Sequence, residues 1–192
     1  MTFYFDFISP YAYLAWTQIH ALAAKHRRTV QPAPVLFAGL LKAWGHKGPA
    51  EIPPKRAYVG RDIVRNARVL GQPIRMPPQH PFNPLLALRV ASLEMSASTR
   101  NALVNALFGA TWASGEGVTD DAVVGRIAAS CGVPDALERA GRDETKQALR
   151  AATEAAIERG LWGVPTVDVD GELFWGLDSL PHLDRFLVGE AP

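Results

Sequence analysis

The 192-residue sequence predicts an α/β fold whose single sheet is assembled from the two ends of the chain. Three observations lead there. The chain opens on an alternating aromatic run, Phe3-Tyr4-Phe5-Asp6-Phe7, that turns directly into a helix start. It closes on a hairpin pattern from Pro165 to Trp175, and the stretch between residues 38 and 160 reads as nearly all helical. A lone hairpin is marginal in water, so the late strands must join the early ones and the helical block becomes an insertion.

Aromatic residues favour strands, and Phe3, Phe5 and Phe7 fall on one face. Ser9 suits an N-cap and Pro10 the first helical position, so a helix is expected from Pro10 to about His26, with Leu14, Gln18 and Ala21-Leu22 on a common face. Thr29 to Phe37 reads as a second strand; its two prolines lack backbone donors and point to an edge position or an early end to pairing. Gly39 to Trp44 is a short helix candidate and Gly45 to Pro49 a loop. Pro53-Pro54 opens a helix from Lys55 to about Leu70, with Tyr58, Ile63, Ala67 and Leu70 inward, and Gly71 stops it. Gln72 to Pro81 carries four prolines and is an extended loop. Asn83-Pro84 leads into a helix to about Ala97. Another runs from Thr99 to Ala113 and breaks at Gly115-Glu116-Gly117. Thr119-Asp120 caps a helix reaching Cys131, Pro134 starts a short segment, and Arg142 to Arg159 is the last long helix of the block. Pro165 to Asp170, a turn at Gly171 and Glu172 to Trp175 form the hairpin, and Asp178 begins a final helix with Leu180, Leu183 and Leu187.

Composition narrows the function. A net charge of +1 gives no field for nucleic acid or an anionic membrane surface. An apolar content of 48% supports a substantial core, and no apolar run reaches the roughly 18 residues of a membrane span. With a strand at the very start and no charged leader, cytoplasmic residence is the expectation. The single cysteine, Cys131, allows neither an intrachain disulfide nor a cysteine metal cluster, and reads as a small structural group at a helix end. His20, His26, His46, His80 and His182 show no zinc-ligand spacing. The Ser9-Pro10 corner places a hydroxyl at the positive end of a helix dipole, a place that favours an anion; a plain helix cap has the same local pattern.

The β-α-β and β-β-α halves around a helical insertion resemble the thioredoxin fold in its DsbA-like form. That family normally begins its first helix with Cys-x-x-Cys. Here the tetrad is Ser9-Pro10-Tyr11-Ala12, so thiol–disulfide exchange by the protein's own side chains is excluded. The blocks Phe5 to Ala15, Gly48 to Pro53, Pro81 to Leu85, Gly163 to Thr166 and Phe174 to Asp178 together resemble the 2-hydroxychromene-2-carboxylate isomerases, which are similar to kappa-class glutathione transferases.

That resemblance implies a thioredoxin-like (DsbA-like) α/β fold with a large all-helical insertion: residues 1–37 and 161–192 as the thioredoxin-like unit, 38–160 as the inserted one. It implies glutathione as cofactor. Ser9 is expected to donate to the sulfur and, with the helix start, to favour thiolate, as helix starts do for cysteines. Val164-Pro165 is expected to be cis, with Val164 pairing to the cysteinyl backbone like an added strand. Trp175, Gly176, Leu177 and Asp178 would hold the γ-glutamyl end, Asp178 meeting its ammonium. An aromatic carboxylate substrate is expected between the two halves, near Lys42, Glu51, Ile52, Phe82 and Asn83, with Lys42 suited to the carboxylate. Arg61, Asp62 and Arg65 read equally as an ion-pair cluster beside that pocket or as one on the open surface. The chain departs from the isomerase pattern at Leu177-Asp178-Ser179-Leu180, where Asn-Asp-Arg-Leu is common, and at Glu51 and Phe82, where a polar amide and a tyrosine stand. The implied activity is a reversible thiolate addition that returns glutathione unchanged, in an expected homodimer. A kappa-type transferase or peroxidase, and a non-catalytic thioredoxin-fold binding module, are the alternatives.

Overall fold

Both ends of the chain meet in one four-stranded sheet. The computed structural model describes residues 1–189; the last three residues of the expected 161–192 unit lie outside the described residues. The strands are β1 (Thr2–Phe5), β2 (Gln31–Pro34), β3 (Thr166–Val169) and β4 (Glu172–Trp175), in the order β2-β1-β3-β4. β1 runs parallel to β2 and antiparallel to β3, and β3 and β4 form the hairpin. β2 is an edge strand, as its prolines required. Gln31 N donates to Met1 O and Val35 N to Phe5 O. The period of two therefore turns Pro32 and Pro34, which have no N–H to offer, away from β1.

Nine helices cover the sheet among the described residues: α1 (Pro10–Lys25), α2 (Phe37–Ala43), α3 (Pro53–Val69), α4 (Leu85–Ser92), α5 (Ala97–Phe108), α6 (Asp121–Ser130), α7 (Ala136–Gly141), α8 (Asp143–Glu158) and α9 (Leu180–Leu187). The fully buried Phe3, Phe5 and Phe7 face α1 and α5. Phe108 of α5 sits 5.4 Å from Phe5 and 4.8 Å from Phe7, and Trp16 of α1 sits 5.5 Å from Phe3, ring centre to ring centre. Burying each such side chain is worth about 1.5–3 kcal/mol, so the inserted helices and the sheet are stabilised by the same core. The other face of the sheet is covered by Leu40 of α2 and Ala156 of α8, packed with Val35, Leu161 and Val164.

Some boundaries differ from expectation for physical reasons. β1 ends at Phe5 because the Asp6 carboxylate turns to the Ile8 and Phe37 amides. The helix expected to run from Asn83-Pro84 to Ala97 stops at Ser92, because Ser96 caps α5 by accepting from Thr99 N at 3.1 Å. α5 passes into a single π-helical segment, Gly109–Ala113. The final helix starts two residues after Asp178, which lies in a 3-10 turn, Leu177–Ser179.

Candidate active site

The site forms where the start of α1 meets the loop before β3. Ser9 caps α1: its Oγ accepts from Ala12 N at 3.1 Å, and Tyr13 N donates to Ser9 O. Pro10 has no N–H, so the Tyr11 amide is left as the donor without a partner in the first turn, among the described residues. The Ser9 hydroxyl donates to Val164 O across a long 3.4 Å, and Ser9 is 9% exposed. The Val164-Pro165 bond is cis.

A cavity of about 400 Å³ opens beside this corner, lined by Tyr11, Asp62, Asn66, Val164, Pro165 and the run from Trp175 to Asp178. Two glycines shape its far wall. A Cβ on Gly163 would land on the Trp175 indole nitrogen, so only glycine lets that ring lie across the loop. Gly176, at φ +95°, lets the Asp178 carboxylate fold back over it; a side chain there would meet the carboxylate oxygen. Gly176 N donates to Pro165 O at 2.9 Å and ties this wall to the cis-proline loop.

The wall contributed by α3 carries a polar group that the sequence reading placed differently. Asp62 makes no ion pair with Arg61 or Arg65. Its Oδ2 accepts from the Tyr11 phenol at 2.8 Å and from Asn66 Nδ2 at 2.9 Å. Burial, then Asp62, push the Tyr11 phenol well above its ordinary value, with Tyr58 and Asp178 adding to it. Tyr11, Asp62 and Asn66 thus belong to the cavity, although the sequence assigns none of them to the site: Tyr11 stands only as part of the opening tetrad, and Asp62 only as a member of a charged cluster.

Val164, Trp175, Gly176, Leu177 and Asp178 line the cavity; Ser9 does not line it, and sits next to it through its bond to Val164 O. Lys42, Glu51, Ile52, Phe82 and Asn83 do not line it. Lys42 is exposed on α2. Glu51 accepts from Gly48 N at 2.6 Å in the turn Pro49–Glu51. Ile52 is half-buried at the N-cap of α3. Phe82 is buried against His80 and Trp112, and Asn83 accepts from Leu85 N. A second, open recess of about 430 Å³ adjoins the first at Tyr11 and is lined by Pro49, Pro54, Lys55, Tyr58 and Val59, around the turn that holds Glu51 and Ile52. Among the described residues no group of His, Cys, Asp or Glu is placed to hold a metal, and no helix is long and apolar enough to cross a membrane.

Known proteins are similar to this chain over most of its length. The 2-hydroxychromene-2-carboxylate isomerase of Pseudomonas putida is 30% identical over 95% of this chain and 91% of its own length. A glutathione S-transferase kappa 2 from Caenorhabditis elegans is 27% identical over 97% of this chain and 90% of its own. A solved 2-hydroxychromene-2-carboxylate isomerase superposes with a TM-score of 0.90 at 27% identity, covering 97% of this chain and 93% of that one. Residues 1–188 match the DSBA-like thioredoxin domain. With its cysteine-free corner and its full-length kinship to the isomerases, the chain belongs to the DSBA-like thioredoxin-domain family and, within it, to the 2-hydroxychromene-2-carboxylate isomerase family.

Proposed function

We propose that this protein is a glutathione-dependent isomerase that converts 2-hydroxychromene-2-carboxylate, or a related intermediate of aromatic catabolism, to trans-o-hydroxybenzylidenepyruvate. The observation that carries the reading is the Ser9 corner: a hydroxyl and a free amide at the start of a 16-residue helix, beside a cavity whose far end is a carboxylate. Donors at one end suit an anion, and Asp178 at the other suits an ammonium. The volume lies within the range of small-molecule sites. The donor set therefore fits glutathione, with Ser9 at the thiol, Val164 along the backbone, and Trp175, Gly176, Leu177 and Asp178 at the γ-glutamyl end.

Bound there, glutathione supplies a thiolate nucleophile that can add reversibly to an unsaturated carbon and leave again. The chain's own residues decide how well that anion is held. The Ser9 hydroxyl bonds only weakly to Val164 O, so a negative sulfur is the better acceptor for its proton. The α1 dipole and the Tyr11 amide add favourable charge in a partly dry site. Tyr11, held by Asp62, forms the ridge between the two recesses, so an aromatic substrate lying in the open recess would reach the corner across it. Glu51 and Ile52 border the turn beside that recess; they, with Lys42, Phe82 and Asn83, are our assigned substrate contacts on the strength of the family resemblance, Lys42 meeting the carboxylate.

A second reading, a kappa-type transferase or peroxidase, is favoured by the kappa relatives at 25–27% identity. One experiment separates them: incubation with 2-hydroxychromene-2-carboxylate and glutathione, following substrate and thiol together. Turnover that needs glutathione and leaves it unchanged supports the isomerase; consumption of the thiol supports the transferase. The binding-module alternative predicts no stabilisation by glutathione, whereas a site filled at 100 times its Kd should gain about 2.7 kcal/mol. No turnover and no thermal shift would sink the proposal.

A further inference from the structure

The backbone leading into Ser9 is held from several directions. Phe7 O accepts from Trp112 Nε1 at 2.8 Å. Ile8 N donates to Asp6 Oδ1 at 3.0 Å, and Ser9 N donates to Asp6 O at 3.1 Å. Ile8 O lies 3.0 Å from His80 Nε2, which must carry the proton because a carbonyl can only accept. Trp112 comes from the π-helical segment after α5, a type of distortion often found at functional sites. His80 comes from the proline-rich loop before α4. Asp6 directly follows β1, and its second oxygen accepts at 2.9 Å from Phe37 N, the first amide of α2, whose N-cap Leu36 offers no side-chain bond.

We propose that Asp6 is a positioning residue for the thiol site: its ionised carboxylate ties the Ser9 corner to α2 and, with Trp112 and His80 on the flanking carbonyls, sets where the Ser9 hydroxyl and the Tyr11 amide point, so that protonating Asp6 loosens the hold on a bound thiolate. The proposal rests on the glutathione reading. Its chemistry is simple. Only the ionised carboxylate offers both oxygens to N–H donors with no proton in the way. Asp6 is fully buried, so the amides of Ile8 and Phe37 are its support in place of water. Burial raises its carboxyl to about 7 while those two amides pull it down, which puts the change of state near neutrality. His80 donates from Nε2 in either protonation state, and Trp112 does not titrate, so Asp6 is the member of the clamp that switches. The other titratable groups on the segments around it are Tyr4 on β1, Lys42 on α2, Arg75 and His80 in the loop, and Tyr11 and Tyr13 on the first turns of α1; none of them contributes to the shift of Asp6.

The test reads the thiol itself. Ultraviolet absorption of the thiolate of bound glutathione is followed against pH for the wild type and for Asp6→Asn, which keeps the shape but cannot become an anion. The expected result is a thiol midpoint higher by roughly one unit in the variant, a tenfold change in the thiolate-to-thiol ratio. Equal midpoints overturn the proposal. A second measurement needs neither ligand nor variant: in the wild type, the Ile8 and Phe37 amide resonances should titrate together with a midpoint near 7. If those two amides stay constant from about pH 6 to pH 8 the proposal also falls, even if Asp6→Asn fails to fold. Absence of any glutathione binding to the wild type strikes the glutathione reading instead, and leaves the amide titration to judge the clamp.

Discussion

The two walls of the cavity are built on opposite principles. On the α1 side, the polar backbone groups of Phe7, Ile8 and Ser9 are tied down, and the catalytic candidate Ser9 is almost fully buried. On the β4 side, Trp175 is 51% exposed, and the Asp178 carboxylate lies over Gly176 with no hydrogen-bond partner among the described residues. A rigid wall suits the place where charge develops, because the direction of a donor decides its worth there. An open wall suits the end of a ligand that must enter and leave. Changes on the fixed side should therefore act on rate and on pH behaviour, and changes on the open side on affinity.

The largest expected effect tests whether the fixed wall is held at the expense of stability. The Asp6 carboxyl titrates near 7 in the folded chain against 3.8 for an unperturbed one. A carboxyl raised on folding stabilises below its unfolded value, and that stabilisation is lost as the pH climbs to the folded value. The difference of about three units corresponds to about 4 kcal/mol. Urea unfolding of wild type and Asp6→Asn should therefore show the wild type losing several kcal/mol relative to the variant between about pH 4 and pH 7.5. A difference that stays flat would mean that folding leaves the Asp6 carboxyl unshifted, ionised in the folded chain as in the unfolded one. Next in size is Ser9→Ala, which removes the donor at the thiol. Loss of one such donor lowers kcat by roughly 10²–10³-fold, or about 3–4 kcal/mol. The lost cap on α1 costs about 1 kcal/mol of stability, visible as a lower Tm. Unchanged turnover in Ser9→Ala would remove the fixed wall's claim to the chemistry.

What could be read from the sequence was what is local. The aromatic alternation of β1, the Ser9-Pro10 cap, the Gly171 hairpin and the edge character of β2 each rest on a few neighbouring residues, and each stands in the structure. The supports of the site were not legible, because they act across long stretches of chain. Asp6 to Phe37 spans 31 residues, Tyr11 to Asp62 spans 51, His80 to Ile8 spans 72 and Trp112 to Phe7 spans 105. One signal was available: Asp6 is a lone charge between Phe5 and Phe7, and a buried carboxylate in an aromatic strand requires partners. The break between α4 and α5 was expected, but the end of α4 was placed too late, at about Ala97 instead of Ser92, because Leu93-Glu94-Met95 contains neither glycine nor proline. Ser96 ends the run by offering a better cap than continued helix.

The smallest effect lies on the open wall, where Asp178→Asn removes a charge and leaves the shape. If Asp178 meets the ammonium of glutathione, the charged hydrogen bond is lost from an exposed position, and such pairs are worth about 0.2–1 kcal/mol. Calorimetry should give a Kd for glutathione weaker by about two- to fivefold, while kcat at saturating glutathione and Tm stay close to those of the wild type. Salt sharpens the reading, since screening acts on exposed charges within about 10 Å at 0.1 M. The wild-type Kd should weaken as salt rises, and that of the variant should respond less. A fall in kcat on the scale expected for Ser9→Ala would show that Asp178 works on the reacting sulfur and that the two walls do not divide rate from affinity.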